Sequence, residues 1–263
     1  FYTGMMVAQR LNVPLVISPF LHIGTNKNDP VRKRYFDPVT VPFYEAATNI
    51  FIQTHAERDA ILEFCEQHNV FLDASKCIKL GMGISETELR GGNGENFRSK
   101  YNIKEPIVFC GAAKVANKGV LNLIKAMQLL WDTGVKARLV LAGNETKEFR
   151  HFWSTLSSNS KEHIIALDRV TDQEKLDLYD AGDVFSMVSK SDSFGIVYLE
   201  AWYYKKPVIG CRTPAIKEVI SDGEDGFLVP FDDIEALSQK IQQLLDNKKL
   251  RETFGNNGHA KVL

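Results

Sequence analysis

A chain of 263 residues, 44% hydrophobic and 25% charged, carries enough apolar side chain for one large core or two smaller ones. Its formal net charge of −1 gives no electrostatic footprint for nucleic acid, and no uncharged apolar run approaches transmembrane length. Nothing resembles a signal peptide, and Cys65, Cys77, Cys110 and Cys211 form no C-x-x-C pair, so they read as buried thiols of a reducing compartment.

Short β-branched runs alternate with amphipathic helical patterns, which predicts an α/β protein with parallel sheets. The first strands are expected at 15–18, 50–53 and 78–80, with a helix over 56–67 that Thr54 can cap. The stretch 85–100, which contains Gly91-Gly92-Asn93-Gly94, has no strand signal and reads as a linker or hinge, or else as a surface loop. Strands then follow at 107–111, 138–142, 163–166, 184–188, 207–210 and 226–229. Helices are expected at 120–131, 148–156, after Thr171-Asp172-Gln173-Glu174 (a capping-box spacing), after Pro214 and at 234–245. This second part has the composition of a nearly complete doubly wound domain, whose ligands bind beyond the carboxyl ends of the strands. Phe1 opens inside one helical pattern and Leu263 closes in another, so the sequence reads as a piece of a longer protein.

The segment Ser191-Asp192-Ser193-Phe194-Gly195-Ile196-Val197-Tyr198-Leu199-Glu200 carries most of the functional signal. Gly195 permits close approach to the backbone, and the amides of Ile196 and Val197 would stand at a helix N-terminus, which favours phosphate. Asp192 and Glu200 can bracket one bound molecule, and a diphosphate between two acceptors of hydroxyl protons describes a nucleotide-sugar. The same residues also suit a buried helix whose carboxylates are solvated or serve as caps.

Lys118, after the loop that leaves the 107–111 strand, can neutralise phosphate with help from the helix dipole, with Lys114 a second candidate. A plain surface lysine at a helix start has the same sequence. His22 follows the first strand and can reach a sugar hydroxyl or an anionic intermediate, or be structural. Gly143 and the pair Arg169-Val170 end strands on the same edge, where backbone groups form base and ribose pockets. The run Arg32-Lys33-Arg34 suits an anionic lipid or acceptor, or a solvated loop. No histidine spacing suits a metal.

Together these residues resemble the family 4 (group 1) retaining glycosyltransferases. The E-x7-E segment is matched by Asp192 to Glu200, the K-G phosphate site by Asn117-Lys118-Gly119, and the histidine loop by Phe20-Leu21-His22-Ile23-Gly24. Leu80-Gly81-Met82-Gly83-Ile84 and Asp222-Gly223-Glu224-Asp225-Gly226 also follow the family's order. The resemblance implies a GT-B architecture of two Rossmann-like domains. Residues 1–84 would be the end of an acceptor-side domain, 85–104 a hinge, and 105–263 the donor domain.

The resemblance further implies retaining transfer of a hexosyl group from a nucleoside diphosphate sugar to an acceptor hydroxyl, with no cofactor and no metal. Asp192 would hold sugar hydroxyls, Glu200 the ribose, and Phe194, Gly195, Ile196 and Val197 would offer backbone groups. Lys118 would steady the departing diphosphate, and His22 would contact the sugar. The acceptor would be a sugar, a lipid-linked sugar or a small molecule, in the cytoplasm and in peripheral contact with the inner face of the membrane. Two features depart from the family. Ala112 and Ala113 stand where an arginine usually meets the phosphates, and Thr213-Pro214-Ala215 replaces a glycine pair. A nucleotide-sugar 2-epimerase and a non-catalytic nucleotide-sugar-binding subunit are the alternatives.

Overall fold

The computed structural model describes residues 2–26 and 28–263; Phe1, expected inside a helix, and Lys27 lie outside them. Two compact units emerge. Phe1–Met82 with Ser191–Phe194 and Thr213–Val219 form the first, and Gly83–Lys190 with Gly195–Arg212 and Ile220–Leu263 form the second.

The first unit is built on three parallel strands, β1 (Val16–Ile17), β2 (Asn49–Ile52) and β3 (Cys77–Lys79), in that spatial order. Their register sets Ile17 opposite Ile50 and Phe51 opposite Ile78. The helix His55–Gln67 follows β2, and the Thr54 hydroxyl accepts from the Glu57 amide as the expected N-cap. Its Ala60, Ile61, Phe64 and Cys65 join the Ile50 and Ile52 core. Each large apolar side chain buried there contributes about 1.5–3 kcal/mol. Two short helices absent from the sequence reading, Pro30–Tyr35 and Val41–Ala46, lie between β1 and β2. The first starts at an Asp-Pro step, where Asp29 accepts from the Val31 amide.

The second unit is a sheet of six parallel strands. These are β4 (Ile107–Gly111), β5 (Arg138–Ala142), β6 (Ile164–Leu167), β7 (Val184–Met187), β8 (Val208–Cys211) and β9 (Gly226–Val229). Their order is β6-β5-β4-β7-β8-β9. The chain builds outward from β4 in one direction, then returns to β4's other side with β7. The switch point of this doubly wound sheet therefore lies between β4 and β7. All nine expected strands are present, three with the expected ends and six with ends shifted by one residue.

Three local expectations change. The hinge segment contains the helix Gly94–Lys100, whose Gly94 amide donates to Asp180 and whose Arg98 bonds Asp183. A Cβ on Gly94 would lie 2.8 Å from the Ala181 Cα, so this glycine marks close helix packing rather than a loose joint. After Pro214 there is only a 3₁₀ turn, Ile216–Glu218. At Thr171 the hydroxyl accepts from the Glu174 amide, but the Glu174 carboxylate is drawn to Lys100 and Tyr101. All four cysteines are free, and Cys65, Cys110 and Cys211 are buried.

Candidate active site

Two loops meet at the switch point of the second unit. The loop after β4 ends in a 3₁₀ turn, Ala116–Lys118, and the helix Val120–Asp132 begins beyond it. The Asn117 carbonyl accepts from the Lys190 amide at 2.7 Å and from the Ser189 hydroxyl at 3.3 Å, which stitches this loop to the one after β7. Gly119 adopts φ +74, and a Cβ there would sit 2.3 Å from the Val188 carbonyl oxygen. Only glycine accommodates both constraints. Lys118 thus stands half-buried at the start of a helix, as expected.

A cavity of 320 Å³ opens at the carboxyl ends of β4, β5 and β6, lined by Gly111, Ala112, Gly143, Arg169, Val170 and Lys175, among others. Gly143, Arg169 and Val170 are therefore gathered in one place. Gly143 has φ +146, and a Cβ there would lie 2.2 Å from the Ala112 carbonyl oxygen. The two alanines in the arginine's place both face the same cavity.

Lys114 does not line this cavity. Its side chain is wholly buried, and its ammonium donates to the carbonyls of Gly143 at 2.7 Å and Leu167 at 2.5 Å, with Glu145 at 3.6 Å. Burial pushes its pKa down, against the pull of Glu145 and Asp168. Lys114 is accordingly a strut that ties together the loops after β4, β5 and β6. The sequence reading makes it a second phosphate candidate; here two of its three donors go to carbonyls.

The helix Ile196–Tyr203 begins after Gly195, which takes φ +85. Its first amides, on Ile196 and Val197, have no partner within the helix by construction. Glu200 lies one turn on, with its side chain 13% exposed. One carboxylate oxygen accepts from the Lys175 ammonium at 2.7 Å, the other from the Tyr179 hydroxyl at 2.8 Å. Tyr179 is fully buried, and burial together with the Glu200 charge pushes its pKa well above 10.0, so it remains a proton donor. Lys175 and Tyr179 both line the cavity, and neither was singled out from sequence.

In the first unit, His22 stacks on Tyr35 with ring centroids 4.9 Å apart, and its Nδ1 lies 3.2 Å from the Ser191 carbonyl oxygen. A carbonyl only accepts, so Nδ1 carries the proton. The neutral ring then offers Nε2 as an acceptor, and it donates from Nε2 only as the imidazolium. The Ser191 hydroxyl also accepts from the Gly24 amide at 3.2 Å. Behind this loop the buried Glu57 accepts from the amides of Leu21 and Gln53, both at 2.7 Å, while burial raises its pKa. Asp192 accepts from the Ser193 amide, and the Phe194 ring lies beside Gly81. His22, Asp192 and Phe194 thus belong to the first unit, whereas Lys118, Gly143, Arg169, Val170, Gly195, Ile196, Val197 and Glu200 belong to the second. Among the described residues no three His, Cys, Asp or Glu side chains gather as metal ligands, and no helix is long and apolar enough to cross a membrane.

A doubly wound sheet of parallel strands with a cavity at its strand ends defines a Rossmann-like class of domain. Residues 93–261 match the family model described as glycosyl transferases group 1, and the chain belongs to that family. The capsular polysaccharide biosynthesis glycosyltransferase CapM of Staphylococcus aureus is 28% identical over 149 residues, 56% of this chain and 39% of that protein. The uncharacterized glycosyltransferase MJ1178 of Methanocaldococcus jannaschii is 32% identical over 151 residues, 57% of this chain and 41% of that protein. The matched stretches thus span about two fifths of these curated relatives. Among solved structures, Anabaena Alr3699/HepE in complex with UDP and glucose superposes with a TM-score of 0.80 at 18% identity, over 99% of this chain and 70% of that one. The fold is that of the GT-B glycosyltransferases, with Rossmann-like domains of parallel sheet.

Proposed function

We propose that this chain carries the donor site of a glycosyltransferase that moves a hexosyl group from a nucleoside diphosphate sugar to an acceptor hydroxyl, with retention at the anomeric carbon. The observation that carries this reading is the cavity at the carboxyl ends of β4, β5 and β6, whose wall includes Lys175 and Tyr179, the two residues that anchor the Glu200 carboxylate. Its glycines let a ligand approach the strand ends closely, and a basic and an acidic group suit the two ends of a nucleoside diphosphate. The related fold of the Anabaena protein, which is in complex with UDP and glucose, supports the same ligand class.

In this reading Glu200 accepts from ribose hydroxyls, the amides of Gly195, Ile196 and Val197 meet the diphosphate, and Lys118 balances charge as that group leaves. Phe194 offers its backbone to the sugar, Asp192 accepts from sugar hydroxyls, and His22 contacts the sugar. The bond from the anomeric carbon to the diphosphate oxygen breaks while the acceptor oxygen bonds that carbon. The acceptor proton passes to the leaving phosphate, so no protein general base is assigned. The donor is a substrate, and neither cofactor nor metal is assigned. The acceptor is a sugar, a lipid-linked sugar or a small molecule, on the cytoplasmic side and in peripheral contact with the membrane.

A second reading is favoured by Ala112 and Ala113, which leave the cavity without an arginine on the β4 loop. It makes the chain part of a nucleotide-sugar-binding subunit without transfer activity. Incubating the protein with UDP-, GDP- and ADP-sugars and a mixed acceptor panel separates the readings. A glycosylated product with the donor's anomeric configuration supports transfer, whereas donor binding with no product over long incubation contradicts it.

A further inference from the structure

Glu200 is held from two sides before any ligand arrives. Lys175 and Tyr179, one turn apart on the helix Asp172–Ala181, each take one of its carboxylate oxygens, at 2.7 and 2.8 Å. The two grips differ in character. Tyr179 is fully buried and packs edge-on against Phe109 with ring centroids 5.2 Å apart, so its hydroxyl is fixed by the core. Lys175 is 38% exposed in its side chain and reaches Glu200 along the wall of the cavity. A carboxylate has about four lone-pair positions. With one on each oxygen occupied, one on each oxygen remains, and these two are held in a fixed plane.

We propose that Lys175 is a positioning residue that orients Glu200 to accept both hydroxyls of a ribose, and so makes the site select ribonucleotides. The proposal deepens the donor-site reading and rests on it. A vicinal diol presents two O–H donors a fixed distance apart, which matches two coplanar acceptors and mismatches a carboxylate free to rotate. Tyr179 alone would fix one oxygen and leave the torsion about the other open. Lys175 closes that freedom, and its charge also holds the carboxylate against rotation toward solvent. An exposed surface ion pair would do little of this, but here the carboxylate partner is largely shielded. The pair is 25 residues apart in sequence and follows no helical or strand spacing, so only the fold brings it together.

The test is calorimetric titration of the chain and its Lys175→Met, Lys175→Arg and Glu200→Gln variants with UDP, GDP and ADP, each paired with its 2′,3′-dideoxy form. Circular dichroism confirms that each variant is folded. The parent chain should prefer the ribose form of its best nucleotide by about tenfold or more, as expected for hydroxyls donated to a charged acceptor. Lys175→Met should bring that ratio close to one while leaving the affinity for the dideoxy form unchanged, and Lys175→Arg should restore most of it. Equal losses for both forms in Lys175→Met would overturn the proposal, since Lys175 would then meet the phosphates or the base. Tighter ribonucleotide binding would also overturn it, because Lys175 would then compete with the ribose. A Glu200→Gln variant that keeps the parent's full ribose preference would instead remove the ribose role of Glu200 itself, and the proposal with it.

Discussion

Glu218 accepts from the Ala56 amide at 2.7 Å and from the His55 amide at 2.9 Å, which places a carboxylate on the open start of the helix His55–Gln67. The Lys79 ammonium closes on the same carboxylate at 2.8 Å. A 3₁₀ turn 162 residues away in sequence thereby supplies the negative charge that a helix N-terminus favours. Burial pushes the Glu218 pKa up, but Lys79 and the two amides outweigh it, and the net shift is downward from 4.5.

Replacing Glu218 by Gln should therefore cost about 1–3 kcal/mol at neutral pH, the scale of hydrogen bonds to a charged group. A carboxylate whose folded pKa lies below its unfolded value stabilises above the unfolded value and loses that contribution as pH falls through the folded one. Urea unfolding from pH 7 to pH 3 should show the gap between parent and Glu218→Gln narrowing once pH drops below about 4.5. A gap that does not change with pH would refute the ionic part of this contact.

Lys114 and Lys118 sit four residues apart and should answer differently. Lys114→Met removes the cation donating to the Gly143 and Leu167 carbonyls; Leu167 keeps the Gly143 amide at 3.3 Å, whereas the Gly143 carbonyl loses its Lys114 donor, at a cost of about 1–3 kcal/mol. Lys118→Met should lower nucleoside diphosphate affinity with a smaller loss of stability. Paired unfolding curves and titrations decide the matter, and a stable Lys114→Met with weakened nucleotide binding would restore Lys114 as a direct ligand.

Gly119→Ala combines a left-handed backbone with a methyl group 2.3 Å from the Val188 carbonyl oxygen. Strain at such a residue is about 1–3 kcal/mol, and relief requires the β4 and β7 loops to separate. The variant should lose both stability and nucleotide affinity. Wild-type affinity in a destabilised Gly119→Ala would show that the stitched loops are not part of the ligand site.

Asp192→Ala should leave the free nucleoside diphosphate bound as in the parent and weaken only the sugar-bearing donor, by about 1–3 kcal/mol. Titration with the nucleotide and its sugar conjugate reads both. Equal losses for the two ligands would contradict a sugar-facing role.

The sheets were legible in the sequence because buried parallel strands are short apolar runs rich in β-branched residues, such as Ile107-Val108-Phe109, and several are followed closely by a glycine or small polar residue, as at Ser18, Gly111, Gly143 and Asp168. The segment around Gly94 misled because a glycine required for close packing and one required for a loose turn are the same letter. The roles of His22, Lys118, Asp192 and Glu200 came from motif order, and the fold then put Lys118 and Glu200 in the unit that holds the cavity. The burial of Lys114 was not legible because lysine is almost always exposed, and nothing local announces one buried against three loops. The clasp of Lys175 and Tyr179 on Glu200 was invisible for a different reason: it is purely tertiary. Tyr179 reads as an ordinary core aromatic and Lys175 as a solvated helix charge.

The donor site is tested most directly by calorimetric titration of the chain and Glu200→Ala with UDP, GDP and ADP. One nucleotide should bind, and Glu200→Ala should weaken it by about tenfold or more. A folded chain that binds none of the three, or one whose affinity is untouched by Glu200→Ala, would contradict the assignment of this cavity to a nucleotide-sugar donor.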